Sequence, residues 1–149
     1  MARLSKLFSE NDVPYLDYRL TENLFCKYYN AINDARSCTA YDARFSSLGV
    51  GIKTFILNNN ASTEKIAEFN KLRPQLEGLK GEKLAYKLAE FRNERMRFAD
   101  DTFNVSESLY HIIGRCSGLL RVFNVPYERI NIDSIHNVKD KGGSLSFED

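Results

Sequence analysis

The sequence predicts an α/β domain with a central mixed sheet that carries a core β-hairpin and is flanked by helices. Three observations predict it. Two stretches, one before and one after residue 60, repeat apolar residues at three- and four-residue spacing, which is helical periodicity. Between them, two β-branched and aromatic runs are separated only by Ser46-Ser47, a hairpin signal. After the second helical stretch the chain returns to short β-rich runs.

The first helix is expected from Thr21, through "TENLFCKYYNAINDA". Leu24, Phe25, Tyr28, Tyr29 and Ile32 form its apolar stripe, Thr21 serves as N-cap, and Glu22 sits in the first turn. "TAYDARF" and "LGVGIKTFIL" then make the hairpin. "NNNAST" breaks the pattern, and a helix capped by Ser62 or Thr63 is expected to run to about Leu72, with Pro74 ending it. The longest helix is "GEKLAYKLAEFRNERMRFADD", with Leu84, Leu88, Phe91 and either Arg95 or Met96 facing inward. "SLYHIIGR", "GLLRVFNV" and "YERINI" follow as three strands, with a helix across 106–122 as the competing assignment. Gly142-Gly143 marks a turn before a last strand, "SLSFED".

Length and composition bound the function classes. A chain of 149 residues, 43% hydrophobic and 28% charged, is expected to form a single domain over 1–149. No apolar run approaches the ~20 residues of a membrane span, and the N-terminus lacks the apolar segment of a secretory signal. Cys26, Cys38 and Cys116 are odd in number and contain no C-x-x-C pair, which argues against a disulfide framework and for a cytoplasmic protein. Net charge +1 neither demands nor excludes nucleic acid, because a groove can be basic while the molecule is near neutral. The chain stops inside a strand-like pattern, so it is expected to be the N-terminal part of a longer polypeptide, whose C-terminal region would be a partner of this one.

Strand parity places the candidate chemistry. Leu48, Val50, Ile52, Thr54 and Ile56 fall on one face, which is core; Gly49, Gly51, Lys53 and Phe55 fall on the other. Two glycines leave that second face bare, so Lys53 is expected to stand beside an open shelf where another backbone or a ligand comes close. Asp42 lies in the partner strand, where propensity disfavours it, and the preceding helix offers Glu22. Carboxylates that hold Mg²⁺ beside a lysine that orients water suit phosphodiester hydrolysis, and Mg²⁺ takes few protein ligands. The competing account is a surface cross-strand pair worth ~0.2–1 kcal/mol. A P-loop is excluded, since Ile52 separates Gly51 from Lys53 and no helix opens at "TFIL".

The acidic helix followed by "YDARFSSLGVGIKTF" resembles the core of the PD-(D/E)xK nuclease superfamily, to which many type II restriction endonucleases belong. Asp42 matches the family's Asp, with Tyr41 in place of Pro, and Lys53 matches its Lys; the acid two residues before the Lys is replaced by Gly51. In the family that acid can come from the following helix, which nominates Glu68 or Glu64, and a glutamate on the helix before the hairpin can enter the site, which nominates Glu22. The resemblance, covering roughly residues 18–70, implies a restriction endonuclease-like fold and a metal-dependent DNA endonuclease. In that reading Asp42 and Glu22 are the metal ligands, Mg²⁺ is the cofactor, and Lys53 completes the catalytic set, with Glu68 next in line. Cleavage of both strands implies two active sites and so a homodimer, for which no interface is legible in the sequence. The alternative is a non-catalytic nucleic-acid- or protein-interaction domain that retains the fold, and Gly51 is its best support. Arg92 and Arg95 of the long helix are candidate DNA contacts, His111 is expected to be a sheet residue, and the Lys/Glu alternation of the helix is expected to be a solvated, salt-bridged face.

Overall fold

The structure, a computed structural model, describes residues 10–37, 39–57 and 69–149. The chain divides into two compact units: residues 1–64 with 99–128, and residues 65–98 with 129–149.

The first unit is built on a five-stranded sheet in the order β1 to β5. Its elements are helix α1 (Tyr18–Tyr29), β1 (Ile32–Asn33), β2 (Ala43–Phe45), β3 (Leu48–Ile56), β4 (Glu107–Cys116) and β5 (Leu119–Pro126). β1, β2 and β3 form an antiparallel meander, β3 and β4 run parallel from Leu48↔Glu107 to Ile56↔Arg115, and β5 returns antiparallel to β4. The mixed sheet and its hairpin are as predicted. The hairpin turns at Ser46 and Ser47, and Ser46 takes the strain with φ 52°. A parallel neighbour cannot be reached by a tight turn, so β3 and β4 are joined by a long crossover whose main element is α2 (Gly81–Phe103).

Helix α1 begins earlier than its apolar stripe suggests. Asp17 is the N-cap, its side chain accepting from the Leu20 N–H at 3.1 Å, and Asn30 closes the other end in the left-handed region at φ 53°. Thr21, expected as the cap, lies inside the helix and donates its hydroxyl back to the Tyr18 carbonyl at 2.7 Å. The buried face is Thr21, Glu22, Phe25 and Cys26. Phe25 and Cys26 join Ala43, Val50 and Ile52 in the core of this unit.

In the second unit, Ala85 and Ala89 of α2 pack with Ile135 and are covered by Ile130, Ile132, Val138, Leu145 and Phe147. Phe91 and Met96 of the predicted line of α2 are buried, but in the first turns Ala85 and Ala89 are buried while Leu84 and Leu88 are only half-buried, and Ala99 extends the buried line. Small side chains let the backbone approach its neighbours closely, and apolar size alone misled the prediction. β6 (His136–Asp140) and β7 (Leu145–Glu148) form a separate antiparallel pair; β7 is the predicted last strand and β6 was not foreseen. The expected strand "YERINI" does not form. Its backbone is held by the buried Asn93 side chain, which accepts from Ile130 N–H at 2.9 Å and donates to the Ile130 carbonyl at 2.8 Å. A helix across 106–122 is overturned by β4 and β5. The helix expected from Ser62 lies largely outside the described residues; the described end is a 3₁₀ turn, Asn70–Gln75, that contains Pro74 rather than stopping before it.

Candidate active site

Asp42 sits just before β2, where the β2–β3 ladder gives out. Its N–H donates to the Val50 carbonyl at 2.9 Å and its carbonyl accepts from Asp34 N–H at 3.0 Å. β3 runs on beyond its last partner in β2, and the Asp42 carboxylate takes the place of the missing strand: Oδ2 accepts the Ile52 N–H at 2.7 Å. The same oxygen lies 3.5 Å from Lys53 Nζ, and both side chains are 22% exposed. A hydrogen bond from backbone to a charged acceptor contributes ~1.5–3 kcal/mol, whereas a long ion pair of this exposure contributes ~0–1 kcal/mol. Asp42 is therefore fixed by β3, and the Lys53 ammonium is only loosely committed to it.

Glu22 reaches the same place from α1. It shares the helix face of Phe25 and Cys26, so burying those two in the core carries the carboxyl to the sheet, where it is 8% exposed. Burial raises its pKa first, the Asp42 charge raises it further, and Lys53 and Arg19 pull it down, leaving it at about 7. The three residues chosen from the sequence thus feel one another's charge. Cys26, a core residue on the same helix face, has its thiol pushed up by burial and then by Asp34, Glu22 and Asp42. Asp34 went unnoticed in the sequence, where "AINDAR" looked like the tail of a helix. It is buried and takes the Arg44 Nε, while the Arg44 guanidinium lies 4.3 Å from the Phe103 ring centre. With Arg44 as its partner, Asp34 is a structural acid.

The shelf beside Lys53 is not open. A Cβ on Gly49 would lie 2.7 Å from the Tyr41 ring, and one on Gly51 2.7 Å from the Tyr110 ring. Tyr110 stacks on Tyr127 with centroids 3.9 Å apart, and Tyr127 meets Tyr41 edge-on at 5.7 Å. Tyr41 donates its hydroxyl to Asp100 Oδ1, and Tyr127 donates to the Ala40 carbonyl at 3.3 Å. Burial and the Asp100 hydrogen bond push the Tyr41 hydroxyl far above its ordinary pKa. The glycines make room for tyrosines, and the place of the motif acid at Gly51 is filled by rings. Sequence parity identified the face correctly but could not show what covers it.

Glu64 and Glu68 lie outside the described residues. His111 is in β4 as expected, its ring 4.8 Å from that of Phe25 and its Nδ1 2.9 Å from Asn124 Oδ1. On α2, Lys87 pairs with Glu90 at 2.9 Å and lies over Phe91, in keeping with a salt-bridged face; Arg92 and Arg95 are half-buried. An open depression of about 430 Å³ in the second unit is lined by Leu84, Leu88, Leu145, Arg73 and Asp140 and contains none of the three site residues.

Among the described residues no group of three or more His, Cys, Asp or Glu side chains is placed to hold a metal ion, and none of the helices is long and apolar enough to cross a membrane. Among the described residues, Glu22 and Asp42 are the carboxylates that share this site with Lys53. Set against protein-family models, curated proteins and solved structures, the chain matches none of them.

Proposed function

We propose that this chain is a metal-dependent DNA endonuclease, of restriction type, acting in the cytoplasm, with Glu22, Asp42 and Lys53 as its catalytic set. The observation that carries the reading is the Glu22 carboxyl: buried, raised to about 7, and coupled in opposite directions to Asp42 and Lys53. Desolvating an acid beside another acid costs stability, and such an arrangement is characteristic of a working site. The helix leading into a hairpin with Asp42 and Lys53 in contact is what the resemblance to the PD-(D/E)xK superfamily implies.

Two carboxylates suffice for Mg²⁺, which binds proteins through one or two acids with water and phosphate oxygens making up the rest. When bound by Asp42 and Glu22 it supplies Lewis-acid stabilisation of the charge on phosphorus and a more acidic water. The protein's own groups do the remainder. Lys53 offers its ammonium to a phosphate oxygen or to the attacking water and offsets negative charge there. Glu22 would serve as the second carboxylate of the metal site beside Asp42, held ionised there. Asp42, held by Ile52 N–H, keeps its other oxygen directed by the strand rather than by a flexible side chain.

The test is cleavage of supercoiled plasmid with Mg²⁺ by the wild-type protein and by Asp42→Ala and Lys53→Ala. A loss of roughly 10²-fold or more in each variant is expected. Lys53→Ala leaves the Asp42–Ile52 hydrogen bond in place, so retention of wild-type activity by that folded variant would sink the catalytic reading. The non-catalytic interaction domain is favoured by one observation, the Tyr110 ring over Gly51. It predicts DNA binding at low salt without Mg²⁺-dependent cleavage.

A further inference from the structure

β5 is an edge strand of the five-stranded sheet, and among the described residues no further strand pairs with it. Soluble proteins blunt such edges with charge, proline, a bulge or shortness. At the opposite edge, β1 is only two residues long. β5 has eight, LLRVFNVP, with no acid, one cation and a proline only at its end. Its pairing with β4 runs unbroken from Cys116↔Leu119 to Leu109↔Pro126, so no bulge turns the edge away. Leu119, Leu120, Val122 and Phe123 are 43%, 52%, 54% and 44% exposed, and they alternate, so both faces of the strand are apolar.

We infer that β5 pairs antiparallel with β5 of a second copy of this chain, joining two sheets into one. A two-fold axis across the edge must pass perpendicular to the sheet, so each side chain meets one on its own face and odd-numbered residues face odd, even face even. Three registers keep most of the strand paired. Centring on Arg121 sets two guanidinium groups against each other. Centring on Phe123 draws Pro126 into the ladder, where it has no N–H to donate. Centring on Val122 avoids both: Leu119 faces Val125, Leu120 faces Asn124, and Arg121 lies beside Phe123 of the second copy, where a cation over a ring is attractive. The strand is thus complementary to itself in one register. A net charge of +1 sets no long-range repulsion against association.

Eight residues give an edge ~27 Å long, and with side chains about 10 Å tall each copy buries roughly 300 Å². Stable complexes bury ~800 Å² per partner, so the dimer forms in a concentration-dependent way. This inference is independent of the nuclease reading, since none of Glu22, Asp42 and Lys53 lies in β5.

Sedimentation velocity of the full chain from about 1 µM to roughly 500 µM, the range a weak dimer requires, should show the average mass rising toward twice 17.1 kDa. Val122→Lys and Val122→Asp, each changing an exposed residue on the axis, should remain monomeric, and their equimolar mixture should recover the dimer. Val122→Cys should cross-link to itself under mild oxidation, because residues opposite on the axis stand ~4.5–5.5 Å apart. Leu120→Cys should not, because its counterpart is displaced by ~14 Å along the strand. A monomeric wild type at every concentration overturns the proposal, whether or not a peptide strand binds β5 instead. So does a dimer that survives Val122→Lys, or cross-linking through Leu120→Cys as efficient as through Val122→Cys.

Discussion

A carboxyl group that is 8% exposed and has Asp42 for a neighbour gives up part of its charge near neutral pH, and this is the energetic signature of Glu22. Its folded-state pKa of about 7 lies above the ordinary 4.5, so protons favour the native state. The contribution is fully present below pH 4.5 and is lost as pH rises through about 7. Fully ionised, the group costs up to ~3 kcal/mol relative to an unperturbed glutamate. Glu22→Gln keeps the shape and removes the charge. Urea unfolding at pH 5 and pH 8 should show the variant gaining ~1–3 kcal/mol on the wild type at pH 8 and little at pH 5. An equal difference at both pH values would mean that Glu22 is not titrating in this range. The same substitution should abolish cleavage if the proposed site is correct, so stability and activity move in opposite directions, as they do where a site is paid for in stability.

At the scale of elements, β3 explains both what the sequence revealed and what it concealed. Alternation along "LGVGIKTFI" separated Val50 and Ile52 from Gly49, Gly51 and Lys53, and the buried core bears that out at Val50 and Ile52. Alternation is local, and it carries no record of residues far along the chain. Tyr110 and Tyr127, which fill the space over Gly51, come from β4 and from the residue after β5, so the shelf could only be misjudged as open. Asp42 was legible because an acid in a hairpin is unusual; Asp34 was not, because its role depends on Arg44 across the β1–β2 pair. The tyrosine bed yields its own prediction. Placing an acid two residues before Lys53 with Gly51→Glu should not raise Mg²⁺-dependent cleavage, because the new side chain meets a Tyr110 ring backed by Tyr127. Overpacking of this kind costs ~1–3 kcal/mol, readable as a lower urea midpoint. A Gly51→Glu variant as stable as wild type and more active would show that the rings yield and that the motif position is available.

At the scale of the whole molecule, the described residues include a cluster of Phe25, Cys26, Ala43, Val50 and Ile52 and another of Ala85, Ala89 and Ile135. The first belongs to the unit that carries Glu22, Asp42 and Lys53, and the second to the unit closed by β6 and β7. Hydrophobic periodicity located α2 in the sequence together with its buried Phe91 and Met96, but chose Leu84 and Leu88 where Ala85 and Ala89 are buried, since alanine is a weak signal of burial; only the partners Ile130, Ile132 and Ile135, far along the chain, show why alanines are needed. Ile135→Ala removes the branched side chain that closes the second cluster and leaves a cavity bounded by Ala85 and Ala89, which are too small to fill it. The expected cost is ~2–4 kcal/mol. Stability of this kind is local, so hydrogen exchange should accelerate most in 82–93 and 130–147, while the amides of β3 and β4 keep their protection and Glu22 keeps its titration. If protection in β3 and β4 falls by the same factor as in α2, the two clusters unfold as one cooperative body, and the stability of the candidate site is governed from residues that never touch it.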